Sequence, residues 1–311
     1  MSAKVNILLS TYNGEKYLPE QLDSLLKQTY PNIVIYVRDD GSKDNTLSIL
    51  EEYQNQRSKK EDGPQIVIMK EDKPANLGYM ESFWTLLGKC EKADYYAFCD
   101  QDDVWLPEKV ERGVAAMEKE KADIPLLYSS GFVYCNENMD IMGYPAQISV
   151  PVEFEDVLFY TPAYGFTVMI NNRLRDRAFA ATSLVNMPHD GWCQKIAASM
   201  GKFIYDGTVT AKYRRHASTV TYAGSQKLKL LMKWLKHEIF GSGMEEYYRV
   251  LRHFHEEYER ELSGEDRERL QVFMKKENTV RLYLKRVFWK ERLRPSLGGE
   301  IALRIGFLLN K

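Results

Sequence analysis

The sequence predicts an α/β protein built on a mostly parallel sheet with helices on both faces. Short apolar runs typical of buried strands alternate with segments whose apolar residues recur at helical spacing. The first four runs occupy residues 5–9, 33–37, 66–69 and 95–99. Strands that alternate with helices at this spacing favour a parallel sheet over an antiparallel one.

The same alternation continues further along the chain. A helix is predicted over residues 107–121, followed by a strand at 126–129 that the run at 132–135 extends. The remaining predicted elements are a strand at 164–170, a helix at 173–182, and two short strands at 203–205 and 209–213. Residues 142–162 interrupt the pattern with three prolines, and a long loop of this kind is often a lid or a substrate-facing segment.

The composition is that of an ordinary globular protein, with 44% hydrophobic and 28% charged residues. The net charge of −1 gives no overall field that favours nucleic acid. Four widely spaced cysteines without a CxxC pair favour buried packing in a reducing compartment over disulfides or zinc. No apolar run reaches the ~18 residues that span a bilayer, and residues 5–9 are too short for a signal peptide. We expect a cytoplasmic protein, soluble or peripheral at the inner face of the membrane.

Three acids directly follow the predicted strand at 95–99. Asp100, Asp102 and Asp103 would repel one another at the end of a buried strand unless a cation lay among them. Mg²⁺ and Mn²⁺ prefer oxygen ligands and are commonly held by one or two carboxylates together with substrate phosphates. The stretch therefore suggests a metal-diphosphate site, and the alternative is an acidic loop that caps the next helix.

Other polar residues follow the first two strands. Ligands of open parallel sheets bind outside the carboxyl ends of the strands. That rule places Thr11-Tyr12 and Asp39-Asp40 along the same edge as the acids at 100–103. The turn after the first strand lacks the three glycines of a dinucleotide-binding turn, and no P-loop is present. A metal held by Asp100 and Asp102 would neutralise a diphosphate in place of a glycine cradle.

As an ordered set, these motifs resemble family 2 glycosyltransferases with the GT-A fold, a Rossmann-like fold that binds nucleotide-diphospho-sugars. Two sequence motifs are similar to those of bacterial rhamnosyltransferases of cell-wall polysaccharide synthesis. They are Cys-Asp-Gln-Asp-Asp-Val-Trp, which contains a DXD motif, and His-Asp-x-Trp. The resemblance covers roughly residues 4–220. The segments that carry it are Thr11 to Glu15, Asp39 to Ser42, Asn76 to Gly78, Asp100 to Trp105, His189-Asp190 and Tyr213 to His216.

The resemblance implies a set of donor-site residues. Nucleotide contacts would come from the first-strand loop, from one of two adjacent aspartates that accepts a pyrimidine N–H, and from the loop before the third helix. These residues are Thr11, Tyr12, Asn13, Glu15, Asp39, Asp40, Asn76 and Gly78, with Asp100 and Gln101 close to the sugar. The second of the two aspartates would cap a helix. Arg38 beside them would be either a nucleotide contact or an exposed strand-end cation, and the second is favoured.

The resemblance also implies a bound Mn²⁺ or Mg²⁺. Asp102 is the favoured ligand, Asp100 lies close by, and His216 would complete the site or be a plain surface histidine. Arg214 or Arg215 would neutralise the departing diphosphate, since arginine pairs with phosphate bidentately.

Asp190 is the candidate general base of an inverting transfer, or alternatively a plain N-cap of the following helix. The neighbouring His189 is expected to pack or orient rather than catalyse. Trp105 and Trp192 would either stack on sugar faces or pack in the core.

The resemblance implies transfer of L-rhamnose from dTDP-L-rhamnose to a growing, lipid-linked bacterial polysaccharide. The alternatives are a UDP-hexose or UDP-N-acetylhexosamine donor on the same fold, and a sugar-nucleotide-binding protein without catalysis. A nucleotidyltransferase is disfavoured because the first-strand loop is not rich in glycine and lysine.

The predicted transferase domain covers residues 1–224, and residues 225–311 are predicted to form a helical region. Residues 227–236 mix apolar and basic side chains at helical spacing, and further helices are predicted from residue 244 onward. A basic amphipathic helix of this kind either lies on a membrane surface or packs on its own core. A dimerisation module is a third alternative, although no heptad pattern supports a coiled coil.

Overall fold

The computed structural model describes residues 2–60, 62–70, 76–215, 243–274 and 279–309. In those residues one nine-stranded sheet runs in the order β3-β2-β1-β4-β8-β6-β9-β5, with β7 paired to β6. Its strands are β1 (Val5–Thr11), β2 (Ile33–Asp39), β3 (Gln65–Ile68), β4 (Tyr95–Cys99), β5 (Val104–Trp105), β6 (Leu126–Cys135), β7 (Ile141–Gly143), β8 (Val168–Asn171) and β9 (Lys202–Arg214).

The first four strands of that order are all parallel, as the alternating pattern predicted. The register places Leu9 of β1 opposite both Val37 of β2 and Cys99 of β4. The carboxyl ends of these three strands are therefore level, so the loops that follow them meet at one edge of the sheet.

The sheet becomes mixed beyond β4. Strand β8 is antiparallel to β4 and to β6, whereas β6 and β9 are parallel to each other. The prediction of a strand over 164–170 was wrong in its first part, because Gly165–Thr167 form a 3₁₀ turn and the strand begins at Val168. The two strands predicted at 203–205 and 209–213 are one strand, β9, whose ladder with β6 continues through register shifts at Gly131.

Helices cover both faces of the sheet. The helices up to residue 200 are α1 (Leu18–Leu26), α2 (Thr46–Arg57), α3 (Tyr79–Lys89), α4 (Lys109–Met117), α5 (Asn172–Ala178) and α6 (His189–Met200). Alternate residues of each strand enter opposite apolar cores: Leu8 and Phe98 lie in one, Leu9 and Cys99 in the other. Buried strands with helices on both sides are the arrangement that the sequence predicted.

Four further helices follow in the described carboxyl-terminal residues, and they share the core of one sheet face. They are α7 (Gly243–Tyr258), α8 (Gly264–Phe273), α9 (Val280–Val287) and α10 (Leu297–Leu308). The Trp192 ring of α6 lies 5.2 Å from the Phe254 ring of α7, measured between ring centroids. Phe159 likewise contacts Phe273 of α8 and Phe307 of α10, at 5.3 and 5.4 Å. The helix predicted at 227–236 and the boundary at 224/225 lie outside the described residues.

The structure shows the state of the cysteines and the length and hydropathy of the described helices. All four cysteines are buried and unpaired. In the described ranges, no helix combines the length and the hydropathy that crossing a bilayer requires. Residues 144–162 are mostly irregular, with a short 3₁₀ helix at Phe154–Val157.

Candidate functional site

The loops after β1 and β2 are joined by the carboxylate of Asp39. Its Oδ1 accepts hydrogen bonds from Thr11 Oγ1 at 2.9 Å and from Ser42 Oγ at 2.5 Å. Its Oδ2 accepts from the backbone N–H groups of Gly41 and Ser42. Asp39 is half-buried at the sheet edge, so it shapes the turn while part of its carboxylate remains accessible.

The neighbouring Asp40 has a different environment. It is buried, and its carboxylate accepts from the backbone N–H groups of Leu77 and Gly78 at 2.7 and 2.8 Å. Arg38 Nη1 pairs with Asp40 Oδ1 at 2.6 Å and is also buried. The expectation that Arg38 is an exposed cation was wrong, because this carboxylate holds its guanidinium in the interior. Asp40 therefore anchors the loop that enters α3, and the φ of +79° at Gly78 suits glycine at that entry.

The loop after β1 is fixed by side chains from other motifs. The Gln101 amide both accepts from Tyr12 N at 2.8 Å and donates to Tyr12 O at 3.0 Å. A methyl group on Gly14 would lie 2.2 Å from Gln101 Oε1, so only glycine admits this contact. Asn13 accepts from Lys43 N, and Glu15 accepts from Asn45 N, which ties the loop to the one after β2. Tyr12 and Asn76 are exposed along the same edge.

The three acids after β4 occupy unequal positions. Asp103 is fully buried, and its Oδ1 accepts from Arg214 N at 3.0 Å. No partner for Asp103 Oδ2 is found in the described part of the chain. Burial and the charges of Asp102 and Asp100 raise the pKa of Asp103 well above its usual range. Asp100 and Asp102 are half-buried and remain accessible at the edge.

Asp100 has the electrostatics of a cation site. Burial, followed by the charges of Asp102 and Asp190, raises the pKa of Asp100 to about 7. The carboxylate oxygens of Asp100 and Asp102 are the ligand type that Mg²⁺ and Mn²⁺ prefer, and a divalent cation would relieve their repulsion. Within the described ranges no cluster of three or more His, Cys, Asp or Glu side chains could hold a metal ion, and the candidate ligand His216 lies outside those ranges.

The two candidate arginines, Arg214 and Arg215, differ in burial, as Asp39 and Asp40 do. Arg214 is buried, with its Nε donating to Asp102 O at 2.8 Å and its guanidinium contacting Glu20 and the Glu137 carbonyl. It fastens the acidic loop to the end of β9. Arg215 is half-buried, and its guanidinium lies 3.8 Å above the centre of the Tyr134 ring. Arg215 is thus the more accessible of the two.

Asp190 lies in the first turn of α6. The N-cap of this helix is Pro188, so the interpretation of Asp190 as a plain N-cap was wrong. Its Oδ1 accepts from Gly191 N at 2.7 Å, and the residue is half-buried. The charge of Asp190 contributes to the raised pKa of Asp100, which places the two carboxylates in one site.

His189 and the two tryptophans are packing residues. The His189 ring lies between Phe83 and Phe98, with centroids 4.3 and 4.7 Å away. Neither of its ring nitrogens has a partner in the described part of the chain, and burial lowers its pKa while Asp190 opposes that shift. Trp105 and Trp192 are buried, so of the two alternatives for them core packing is observed.

Sequence reasoning missed two residues of this site. Tyr79 is 56% exposed, and burial, Asp190 and Asp100 all raise its pKa. Its position directly after Asn76-Leu77-Gly78 was a usable signal. Lys195 is buried in α6, and burial lowers its pKa to about 8 against the opposing effect of Asp190. Nothing in the sequence distinguishes Lys195 from a surface lysine.

Comparisons with known proteins agree with this geometry. Residues 6–140 match the sequence model described as glycosyl transferase family 2. An uncharacterised glycosyltransferase of Haemophilus influenzae is 38% identical over 37% of this chain and 33% of its own. The dTDP-rhamnosyl transferase RfbG of Shigella flexneri is 33% identical over 40% of this chain and 41% of its own. The chain thus spans about a third to two fifths of these relatives.

The crystal structure of S. aureus TarS 1-349 in complex with UDP-GlcNAc superposes with a TM-score of 0.58 and 14% identity. The similarity covers 99% of this chain and 91% of that chain, and at this identity it establishes the fold. The sheet and its acidic edge therefore define a domain of the GT-A class, as predicted. Residues 6–140, a little under half of the chain, are similar to glycosyl transferase family 2.

Asp40→Asn is expected to lower the free energy of unfolding by roughly 3 kcal/mol, because it removes the buried negative charge opposite Arg38. Asp39→Asn is the matched control, since its half-buried amide still accepts hydrogen bonds and should cost about 1 kcal/mol. Urea denaturation followed by circular dichroism measures both. Equal losses in the two variants would show that Asp40 has no special structural role.

His189→Phe is expected to flatten the dependence of stability on acid pH. Burial lowers the folded pKa of His189 below the unfolded value of 6.5, so below about pH 6.5 the unfolded chain binds the proton more readily. The wild-type protein should therefore lose stability as the pH falls through the window between these pKa values. The measurement is the urea midpoint at pH 7 and pH 5, and an unchanged slope in the variant would contradict the assignment.

Proposed function

We propose that the protein is an inverting, metal-dependent glycosyltransferase that uses a nucleotide-diphosphate sugar. The observation that carries the proposal is the acidic edge of the sheet, where Asp100 and Asp102 follow β4 and the parallel strands β1, β2 and β4 end at one level. Burial, the charge of Asp102 and the charge of Asp190 close by together raise the pKa of Asp100. Asp100 and Asp102 lie in the segment 6–140 that matches the family 2 model, and Asp190 follows that segment. In this proposal Asp100 would face the donor and Asp190 the acceptor.

The donor would lie across the loops after β1, β2 and β4. Asp39, the accessible member of its pair, accepts the pyrimidine N–H, while Asp40 fixes the Asn76–Gly78 loop that closes the pocket. Asp102 and Asp100, together with His216, would hold Mn²⁺ or Mg²⁺, and the bound cation would neutralise charge on the diphosphate. Arg215 contributes a second positive charge, because Arg214 is committed to the acidic loop.

Asp190 acts as the general base on the acceptor side. It accepts the proton of an acceptor hydroxyl as that oxygen forms a bond to the anomeric carbon. The bond from this carbon to the diphosphate oxygen breaks at the same time, and the nucleoside diphosphate leaves on the opposite face. One displacement without a covalent intermediate inverts the anomeric configuration.

The proposed donor is dTDP-L-rhamnose, and the proposed acceptor is a hydroxyl of a growing, lipid-linked bacterial cell-surface polysaccharide. The sequences of the acidic and His-Asp motifs support rhamnose as the donor sugar, as does the similarity to the Shigella transferase. UDP-N-acetylglucosamine is the competing donor, because the TarS structure that shares this fold binds it. A UDP-hexose is a further alternative.

The first experiment incubates the protein with dTDP-rhamnose, UDP-glucose, UDP-galactose and UDP-N-acetylglucosamine, each with Mn²⁺, and measures the nucleoside diphosphate released. Turnover of dTDP-rhamnose that EDTA abolishes is the expected result. Asp190→Asn should lower turnover by roughly 10²- to 10⁴-fold, the size of a general-base contribution, while nucleotide binding persists. Asp176→Asn, an exposed aspartate outside the site, should change nothing.

Each other outcome of this experiment has a distinct meaning. Preference for a UDP-sugar would retain the mechanism and reject rhamnose. Nucleotide binding without turnover in either form would indicate a sugar-nucleotide-binding protein. Full activity of Asp190→Asn would remove Asp190 as the base.

We further propose that the carboxyl-terminal helices dock on an anionic membrane surface, where a lipid-linked acceptor would be found. Val280, Leu284 and Phe288 are exposed on one face of α9, and Val280 and Phe288 are 75% and 74% exposed. Leu297 and Ile301 are exposed on α10. The two helices are joined by a hydrogen bond from Tyr283 Oη of α9 to Leu308 O of α10. The nearby exposed cations Arg281, Lys290 and Arg292 favour anionic headgroups.

Sedimentation with lipid vesicles tests this membrane contact. The protein should bind phosphatidylglycerol vesicles more tightly than phosphatidylcholine vesicles. Phe288→Ser should weaken that binding by about tenfold, since burying a phenyl ring is worth about 1.5–3 kcal/mol. Val185→Ser, an exposed apolar position elsewhere, is the control. Equal binding by all variants, or a stable dimer that hides the patch, would reject the proposal.

A further inference from the structure

A cavity of about 390 Å³ lies between the sheet and the carboxyl-terminal helices. Strands β6 and β9, the segment 145–164, α7 and the start of α10 all contribute to its wall. Among the described residues, none assigned above to the nucleotide, the metal or the general base lines it. The cavity adjoins the donor site at Tyr134, which lines it and whose ring centre lies 3.8 Å from the Arg215 guanidinium.

Hydrogen bonds and close contacts join the wall of the cavity to α6, the helix that carries Asp190. The Gln194 side chain of α6 accepts from Ala163 N at 3.0 Å and donates to Ala163 O at 2.7 Å. A methyl group on Gly165 would lie 3.9 Å from Asp190 Cβ, and one on Gly191 would lie 3.3 Å from Thr161 Oγ1. The segment 161–165 thus contacts the Asp190 turn on one side, while Pro162 to Tyr164 line the cavity on the other.

The sheet places the cavity level with the catalytic edge. Strand β6 pairs with β8, and β8 pairs with β4, so β6 runs in the same direction as β4. Ile170 of β8 lies opposite both Tyr96 of β4 and Leu127 of β6. Ser129 and Ser130, which line the cavity, therefore lie near the level of Phe98 and Cys99, directly below Asp100.

The lining has the chemistry of a carbohydrate site. It is rich in aromatic rings, which come from Phe132, Tyr134, Phe159, Tyr160, Tyr164, Tyr205 and Tyr247. Among the described residues, the hydroxyls of Tyr160 and Tyr205 make no hydrogen bond to protein. Aromatic faces pack against the C–H faces of a sugar ring, and phenolic hydroxyls bond its hydroxyl groups.

The carboxyl-terminal helices complete this wall. Arg294 Nε donates to Phe159 O at 3.1 Å, and its guanidinium lies 5.1 Å from the centre of the Tyr247 ring. Among the described residues that line the cavity, Arg294 alone is charged. A neutral or anionic saccharide therefore suits the cavity better than a cationic ligand.

We propose that this cavity is an acceptor subsite that holds a saccharide unit adjacent to the one that reacts at Asp190. The acceptor is accordingly an oligosaccharide chain and not a single sugar. The assignment to an acceptor rests on the proposed function, whereas saccharide binding in the cavity does not.

Ala146→Trp tests the proposal at the cavity mouth. Ala146 lines the cavity from an exposed loop, so a bulky side chain there blocks the entrance with little effect on folding. Gln147→Trp is the matched control, because Gln147 is exposed next to it and does not line the cavity. Tyr205→Phe removes one hydroxyl and keeps the ring.

Saturation-transfer NMR with methyl α-L-rhamnopyranoside, methyl β-D-glucopyranoside and N,N′-diacetylchitobiose is the readout. At least one probe should bind the wild-type protein and Gln147→Trp, and should bind Ala146→Trp about tenfold more weakly, a loss of about 1.4 kcal/mol. Tyr205→Phe should weaken binding to a smaller extent. Absence of binding by every probe, or equal binding by all variants, would overturn the subsite.

The donor experiment separates this proposal from the proposed function. Loss of saccharide binding in Ala146→Trp without turnover of any donor supports the cavity and rejects the transferase. Donor turnover that Ala146→Trp leaves unchanged, with a raised KM for transfer to the bound probe, supports both. Donor turnover with equal saccharide binding in every variant rejects the cavity alone.

Discussion

Repulsion among carboxylates is the constraint on which the rest of the site depends. Asp100, Asp102, Asp103 and Asp190 converge at one edge of the sheet, and burial together with the charges of neighbouring aspartates raises the pKa values of Asp100 and Asp103. The structure buries one of these acids and leaves the others partly accessible. Asp103 is buried against the backbone of Arg214, whereas Asp100 and Asp102 face the edge, where the proposed divalent cation would offset their charge.

Neighbouring residues in the motifs have opposite roles. Asp40 is buried and holds the entry of α3, while Asp39 beside it remains accessible. Arg214 fastens the acidic loop and leaves Arg215 more accessible, just as buried His189 supports the turn that presents Asp190. In each pair, one residue fixes the position of the backbone. Its neighbour is thereby held at the site and loses little conformational freedom when a ligand binds.

The carboxyl-terminal helices belong to the same core as the catalytic sheet. Phe159 contacts α8 and α10, Trp192 contacts α7, and Trp192 lies on the helix that carries Asp190. The proposed acceptor cavity and the proposed membrane face both depend on these helices. A change in their packing would consequently reach Asp190, the proposed general base, through α6.

The sequence by itself determined the parallel half of the sheet, because strand and helix periodicity is local, and it brought the acidic motifs to one edge, because parallel strands end there. The order of its motifs also indicated the family whose model matches residues 6–140. Only the tertiary structure decided the antiparallel insertion of β8, the exposure of each residue in pairs such as Asp39-Asp40, and the burial of Arg38 and Lys195. Those features depend on contacts between distant segments, as with Asp40 and Gly78 or Arg294 and Phe159, and no local pattern records such contacts.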